Sequence, residues 1–405
     1  MAKTFIIDSN DQTRAPFLRG ILTRSLTDSG LSFETAYQLS SEIRQQISGK
    51  DELSSHNLRK LVLKKLEQLE QHEVIENYES IAPATTEIMV TDRKGNVRPF
   101  SIIEHRQTLE STGLSNDKAA LISQALYLDL LESFQEGVTS STVGRLTYEK
   151  LKQRYGKQAA NSYLVWVDYK HSKRPLIILI GGATGCGKST IATEVAHRLN
   201  IIRTQSTDML REVMRMMIPQ RLIPELHTSS FNAWRKTLGQ HENEESSEEM
   251  MIHGYMHQSE LVSVPCEAVV QRALRERVSL ILEGVHVTPM LFNRFSENED
   301  AVIVPIMLAV LKQNQLKHRL RDRGISAPER TEMSNYLSNF ESIWMLQTHL
   351  LSEADNHSVS IISNDDKDLA TDNIMRLIIR VLEQNFHAKV NDVFGVDEEQ
   401  STTKD

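Results

Sequence analysis

One stretch constrains this chain more than any other: Leu176 to Leu199, reading LIILIGGATGCGKSTIATEVAHRL. Leu176 to Ile180 are apolar without a break, which fits a strand buried on both faces of a parallel sheet. The strand runs into Gly182–Ser189, GATGCGKS, which satisfies G-x-x-x-x-G-K-[ST]. Beyond it, Ile191, Val195 and Leu199 recur on one helical face. In a strand, glycine turn and helix of this kind, backbone amides turn inward around phosphate and the new helix adds its positive end. Gly182, Ala183, Thr184, Gly185, Cys186, Gly187, Lys188, Ser189 and Thr190 are therefore expected to bind ATP, with Lys188 bridging the outer phosphates and Ser189 ligating Mg2+. A purely structural glycine turn accounts for neither Lys188 nor Ser189.

Four more strand candidates follow: RTQSTD (Arg203 to Asp208), RVSLILEGVHV (Arg277 to Val287), AVIVPIMLAV and SVSIISN. Helical stretches separate them. Five such strands predict an α/β P-loop domain with a five-stranded parallel sheet, its ligands at the carboxyl ends of the strands. Asp208, Glu283 and Asn364 should then converge near the loop. Glu283 ends an apolar strand, where an acid orients magnesium, while His286 beside it reads as a hydrogen-bonded structural residue. Asp208 is expected to accept or orient the proton of an acceptor hydroxyl; the alternative is that Thr207 or Asp208 caps the next helix.

Two further stretches suit an acceptor. After the fourth strand, Lys317, Arg319, Arg321, Arg323 and Arg330 crowd around Gly324 and Pro328, as in a lid that brings cations to a migrating phosphoryl group. Arg319 and Arg323 share one helical face. The bland alternative is a solvated helix face. Between the second and third strands lies a helical insert with the acidic run HENEESSEE, read as a solvated loop. In the same insert His227, Thr228, Ser229 and Ser230 are candidates for holding a phosphorylated substrate, or for capping the helix of Trp234. Tyr336, Phe340, Ile343 and Leu350 are read as core rather than as a subunit contact, and the oligomeric state is left open.

The first 170 residues carry a repeat. Arg14 to Ile43 laid over Val97 to Leu126 matches Pro16 with Pro99, Phe17 with Phe100, Leu26 with Leu109 and Gly30-Leu31-Ser32 with Gly113-Leu114-Ser115; after a two-residue slip, ELSSHNLRKL resembles GVTSSTVGRL. Both copies read as mainly α, and the alternative to any ligand role is a small docking domain. In the second copy, IMVTDRKGNVRPFS resembles the strand, basic turn and strand of the ATP-cone, which implies a regulatory nucleotide at Arg93 and Lys94. The first copy has Asn10 and Asp11 there, so nucleotide binding is not carried over to it. The expected domains are 1–82 and 86–170 for the two modules and 173–390 for the P-loop domain, with 391–405 as an acidic, disordered tail.

Charge and cysteine content exclude other classes. A formal net charge of -8 and an aromatic content of 6% leave no basic, aromatic stripe for nucleic acid. Cys186 and Cys266 lie far apart with no CxxC spacing, which suits neither a disulfide framework nor structural zinc. No apolar run approaches a membrane span and the first residues do not read as a leader, so a cytoplasmic protein without membrane partners is expected. Cys186 lies inside the loop, so alkylation is expected to inactivate and ATP to protect.

Taken together, GGATGCGKSTIA, STDMLREVMR, LHTSSFNAW, ILEGVHVTP and SNYLSNFESIWMLQTHLL resemble the 2-phosphoglycerate kinase family, in which cone-like modules precede a P-loop kinase domain. The resemblance runs from Val90 to about Leu382 and implies transfer of the terminal phosphoryl group of ATP to the 3-hydroxyl of 2-phosphoglycerate, with magnesium. It also implies that Arg211 and Arg215 help anchor a phosphorylated acceptor beside Asp208, with Arg330 from the lid. Two alternatives stand beside this: a kinase for another phosphorylated or polyol metabolite, such as an inositol phosphate, and a nucleotide-sensing switch that transfers nothing.

Overall fold

The computed structural model describes residues 4–7, 14–17, 19–48, 51–69, 71, 74–75, 77–78, 88–134, 137–237, 248–295, 298–325, 336–387 and 389–395. The chain divides into two units. One comprises Met1–Val90, Val97–Phe100 and Leu131–Gly137, the other Thr91–Asn96, Ser101–Leu130 and Val138–Asp405.

In the first unit β1 (Phe5–Ile7) pairs antiparallel with β2 (Arg14–Pro16) and parallel with β3 (Glu52–Ser54). Helices Arg19–Asp28, Phe33–Ile47 and Ser55–Gln68 close a core of Leu26, Ala36, Ile43, Val62 and Leu66. Ser32 and Ser54 start two of these helices, their hydroxyls accepting the backbone amides of Thr35 and Asn57.

The repeat read in the sequence reappears as an order of elements. Strand, strand, helix, helix, strand, helix recurs as β4 (Met89–Thr91), β5 (Val97–Pro99), Ile102–Ser111, Asn116–Ser133, β6 (Val138–Thr139) and Ser140–Ser172. Gly30 and Gly113, which the alignment matches, both sit at positive φ, 110° and 86°, where a side chain would be strained. Leu26 and Leu109, Ala36 and Ala119, and Ile43 and Leu126 are buried in both copies. Asn10 and Asp11 lie outside the described residues.

In the second unit five parallel strands, β7 (Leu176–Gly181), β8 (Arg203–Ser206), β9 (Leu280–Glu283), β10 (Val302–Ala309) and β11 (Ser360–Ser363), form a sheet of order β11-β10-β7-β9-β8. β7 lies at the centre and every one of its residues is buried, which is why it is apolar throughout. Register places Glu283 level with both Ile180 and Ser206, so the ends of β7, β8 and β9 open on one edge. Tyr336, Phe340, Ile343 and Leu350 are buried in this core.

Packing and secondary structure run across two of the expected domain limits. The segment just before the boundary expected near residue 173 packs on the sheet: the stretch Ser140–Ser172 breaks at Gly156, where φ is 86°, and its part beyond the break delivers Trp166 and Tyr169 into the sheet core, with Tyr169 edge-on to Phe386. Ser111 also donates a hydrogen bond to the Arg198 carbonyl at the end of the helix that follows the phosphate loop. The tail expected to be disordered from 391 instead begins with a helix, Val390–Phe394. Its Phe394 is buried and stacked on Tyr163, against Gly144, where a Cβ would lie 2.3 Å from the ring. Burial of Val393 and Phe394 outweighs the acidic composition there. Of the acidic run, Glu248 and Glu249 form the first turn of the helix Glu248–Glu276, where negative charge complements the helix dipole; 241–247 lie outside the described residues.

Candidate active site

The loop after β7 is shaped by three glycines at positive φ, Gly182 (143°), Gly185 (86°) and Gly187 (88°). Space is short at all three, with a Cβ on Gly185 lying 2.7 Å from Leu320 Cδ2. A Cβ on Gly182 would stand 2.3 Å from the Leu308 carbonyl oxygen, and one on Gly187 2.5 Å from Asn364 Nδ2. Gly187 is the N-cap of the helix Lys188–Leu199, so the first amides of that helix face the loop.

Lys188 is buried and its Nζ donates to the Ala183 carbonyl at 2.9 Å, curled into the loop. Ser189 Oγ donates to Glu283 Oε1 at 2.9 Å, which joins the two expected magnesium residues across adjacent elements. Asn364 and Arg319 reach the loop from its other side. Asn364 Nδ2 donates to the Cys186 carbonyl at 2.8 Å, Arg319 Nη1 to the same oxygen at 3.5 Å, and Arg319 Nη2 to the Asn364 carbonyl at 2.6 Å. Both residues therefore hold the loop in shape, a support role that spacing alone does not reveal.

A cavity of about 450 Å³ opens here. Thr184, Gly185 and Gly187 to Thr190 form its floor, Asp208, Glu283 and Val285 one wall, and Arg319, Asn364 and Lys367 another; Cys186, within the loop, does not line it. Lys367 escaped the sequence reading. It begins the helix Lys367–Asn385 just beyond β11, and it pairs with Glu194 at 3.1 Å on the rim. The signal available for it was topological, since the first helical residue after a strand of such a sheet borders the ligand edge.

Asp208 is half-exposed and does not cap its helix. The cap is Ser206, whose hydroxyl accepts the Asp208 amide, while Thr207 turns its hydroxyl to His286. The carboxylate is thus directed to the cavity, with Arg211 Nη2 at 4.0 Å. The other acceptor candidates stand beside the cavity rather than on its wall. Arg211 donates to the Thr228 carbonyl, Arg215 pairs with Glu212 at 2.6 Å, and His227 Nε2 hydrogen-bonds the Ile218 carbonyl at 2.8 Å. Ser229 precedes the short turn Ser230–Asn232 without capping it through its side chain.

The basic segment is helical over Gln313–Ile325, with Lys317 over the Phe340 ring at 4.3 Å. Arg323 falls in its last turn; Arg330 lies outside the described residues. In the second copy Arg93 donates to the Val393 carbonyl and approaches His171 Nδ1 at 3.4 Å, so its guanidinium already has protein partners, while Lys94 is exposed on the turn.

Electrostatics correct the expectation for Cys186. Its thiol is fully buried and faces Gly182. Burial pushes its pKa up, against the pull of Lys188, so it is a poor target for alkylation. His286 is also buried, and burial pushes its pKa down to about 3, so the ring is neutral near pH 7.

Among the described residues no group of three or more His, Cys, Asp or Glu is arranged to hold a metal by itself. A hydroxyl and a carboxylate in contact, Ser189 and Glu283, fit Mg2+ in the way that cation is usually held, with phosphate oxygens supplying further ligands. No helix among the described residues is long and apolar enough to cross a membrane.

No protein-family model matches the sequence. Individual relatives do. The chain is 34% identical over 293 residues to the 2-phosphoglycerate kinase of Pyrococcus furiosus, covering 72% of this chain and 93% of the relative. Its identity to the 2-phosphoglycerate kinase of Methanopyrus kandleri is 34% over 284 residues, 69% of this chain and 84% of the relative. With the protein of the same name from Thermococcus kodakarensis it is 32% over 298 residues, 73% of this chain and 99% of the relative.

Proposed function

The chain belongs to the 2-phosphoglycerate kinase family, and from that premise we propose that it transfers the terminal phosphoryl group of ATP to the 3-hydroxyl of 2-phosphoglycerate, giving 2,3-bisphosphoglycerate and ADP. The observation that carries this reading is the convergence of Lys188, the Ser189–Glu283 pair, Asp208 and Arg319 on one cavity at the strand ends.

The chemistry asked of these groups is mostly positioning and charge stabilisation. Lys188 would exchange the Ala183 carbonyl for phosphate oxygens, so its buried ammonium stays partnered and meets the incoming negative charge. Ser189 and Glu283 would hold Mg2+, which neutralises charge on the outer phosphates. Asp208 is the group in reach of an acceptor hydroxyl, accepting its proton or orienting it. Arg319 stands on the opposite wall, where a cation stabilises charge on the migrating group, and Arg323 follows one turn later. Arg211, Arg215 and the stretch His227–Ser229 form the acceptor side; Arg330, expected to join them, lies outside the described residues. In this reading Arg93 and Lys94 serve a regulatory nucleotide only if Arg93 releases the Val393 carbonyl.

The test incubates the full chain with MgATP and a panel of phosphorylated acids and polyol phosphates, following ADP release and product mass. ADP formed in step with a bisphosphorylated product from 2-phosphoglycerate is the expected result. Transfer only to another member of the panel would replace the acceptor, and ADP formation indifferent to any acceptor would replace the kinase with a switch.

A further inference from the structure

Behind the acceptor side runs a fully buried polar chain that the proposed chemistry does not use. Gln258, on the helix Glu248–Glu276, donates through Nε2 to two backbone carbonyls, Glu225 at 2.5 Å and Thr228 at 3.1 Å. Carbonyls only accept, so the amide orientation is fixed and Oε1 is left as an acceptor. His286 Nε2 lies 3.0 Å from that Oε1 and must carry the proton. The neutral ring then accepts at Nδ1, where Thr207 Oγ1 lies at 3.1 Å and donates. One proton arrangement satisfies every member.

The two ends of this chain, both buried, adjoin the residues assigned above to the acceptor. Thr207 precedes Asp208, and it is pressed on the turn after Glu283, where a Cβ on Gly284 would lie 1.8 Å from its Oγ1. Thr228 lies in the acceptor stretch, and its carbonyl also accepts from Arg211. Tyr255, one turn before Gln258, adds a second tie by donating to the Val285 carbonyl at 2.6 Å. Gln258, His286 and Thr207 are each at most 1% exposed, so a broken link leaves a donor or acceptor without water.

We propose that Thr207, His286 and Gln258 are positioning residues that lock the acceptor stretch Glu225–Thr228 in register with Asp208, and so set the affinity for the acceptor but not for ATP. The proposal rests on reading the site as a kinase with its acceptor beside Asp208. Removing one hydrogen bond while keeping shape should loosen the acceptor side and leave the phosphate loop, which is held by Arg319 and Asn364, untouched.

Thr207→Val is isosteric and removes the donor, whereas Thr207→Ser keeps it. In the full chain, Thr207→Val should raise the acceptor KM by about fivefold or more, since one unsatisfied buried group costs on the order of 1–3 kcal/mol. Its KM for ATP should stay at the wild-type value and Thr207→Ser should keep both constants. Gln258→Met should act as Thr207→Val does. Equal acceptor KM values for the valine and serine variants, or ATP and acceptor constants that move together, would overturn the proposal. Amide hydrogen exchange supplies a reading independent of the acceptor: faster exchange at 225–228 in Thr207→Val but not in Thr207→Ser supports the lock, and identical exchange refutes it. A wild-type chain that fails to phosphorylate 2-phosphoglycerate would sink the functional reading, while the exchange comparison would still decide the lock.

Discussion

At the scale of single residues, the lysine of the loop carries the clearest expectation. Lys188 is a buried cation on the cavity floor, and its ammonium donates to the Ala183 carbonyl of the loop. Lys188→Ala should lower transfer by about a hundredfold or more, as loss of a pre-organised charge at a phosphoryl site does, with the far-UV circular dichroism of the wild type. Retained turnover would contradict its role. Cys186 gives a prediction of the opposite kind. Because the thiol is sealed and its pKa raised by burial, iodoacetamide should label it slowly in the folded chain and rapidly after denaturation, with or without ATP. Rapid labelling of the native chain would show that the loop opens. These residues also mark what spacing can convey. Lys188, Ser189 and Glu283 were legible because a motif and a strand end fix their places. Asn364 and Arg319 were found, but the bonds that make them props for the Cys186 carbonyl depend on a fold that brings residues far apart in sequence together. Lys367 was legible only through topology, as the first helical residue beyond a strand, whereas the Gln258 amide was illegible, since a single polar residue on a long helix carries no period.

Among the elements, the C-terminal helix Val390–Phe394 shows where composition misleads. The acidic residues around it signalled a solvated tail, yet Val390, Val393 and Phe394 form a short apolar face, and Phe394 fills the space left by Gly144. Phe394→Ala should destabilise the second unit by about 3 kcal/mol, in the range for loss of a buried aromatic ring, read as a lower urea midpoint. An unchanged midpoint would mean that the helix packs without contributing stability. The same element also touches Arg93, so undocking it would free the cation that the cone-like reading assigns to a nucleotide. The repeat was legible for a better reason. Glycines at positive φ and buried leucines recur at a constant offset, so pattern and conformation coincide in both copies.

For the whole molecule, two buried histidines tie stability to pH. His105, between the hydroxyls of Ser123 and Thr147, is held down to about 4 by burial, and His286 to about 3, against 6.5 when unfolded. The unfolded chain therefore binds more protons below pH 6.5, and stability present above that pH is lost as pH falls toward 4, by roughly 3 kcal/mol per site. Thermal melts across pH 7 to 4.5 should show a falling midpoint, and His105→Gln should flatten the slope. A midpoint indifferent to pH over that window would mean that neither ring is buried as a neutral group.

The central claim is that one cavity at the strand ends grips the phosphates of ATP through the loop. Titration calorimetry of the full chain with a non-hydrolysable ATP analogue and Mg2+ tests it most directly. A saturable site that Lys188→Ala abolishes is the predicted result; no heat of nucleotide binding, or binding indifferent to Lys188, would contradict it.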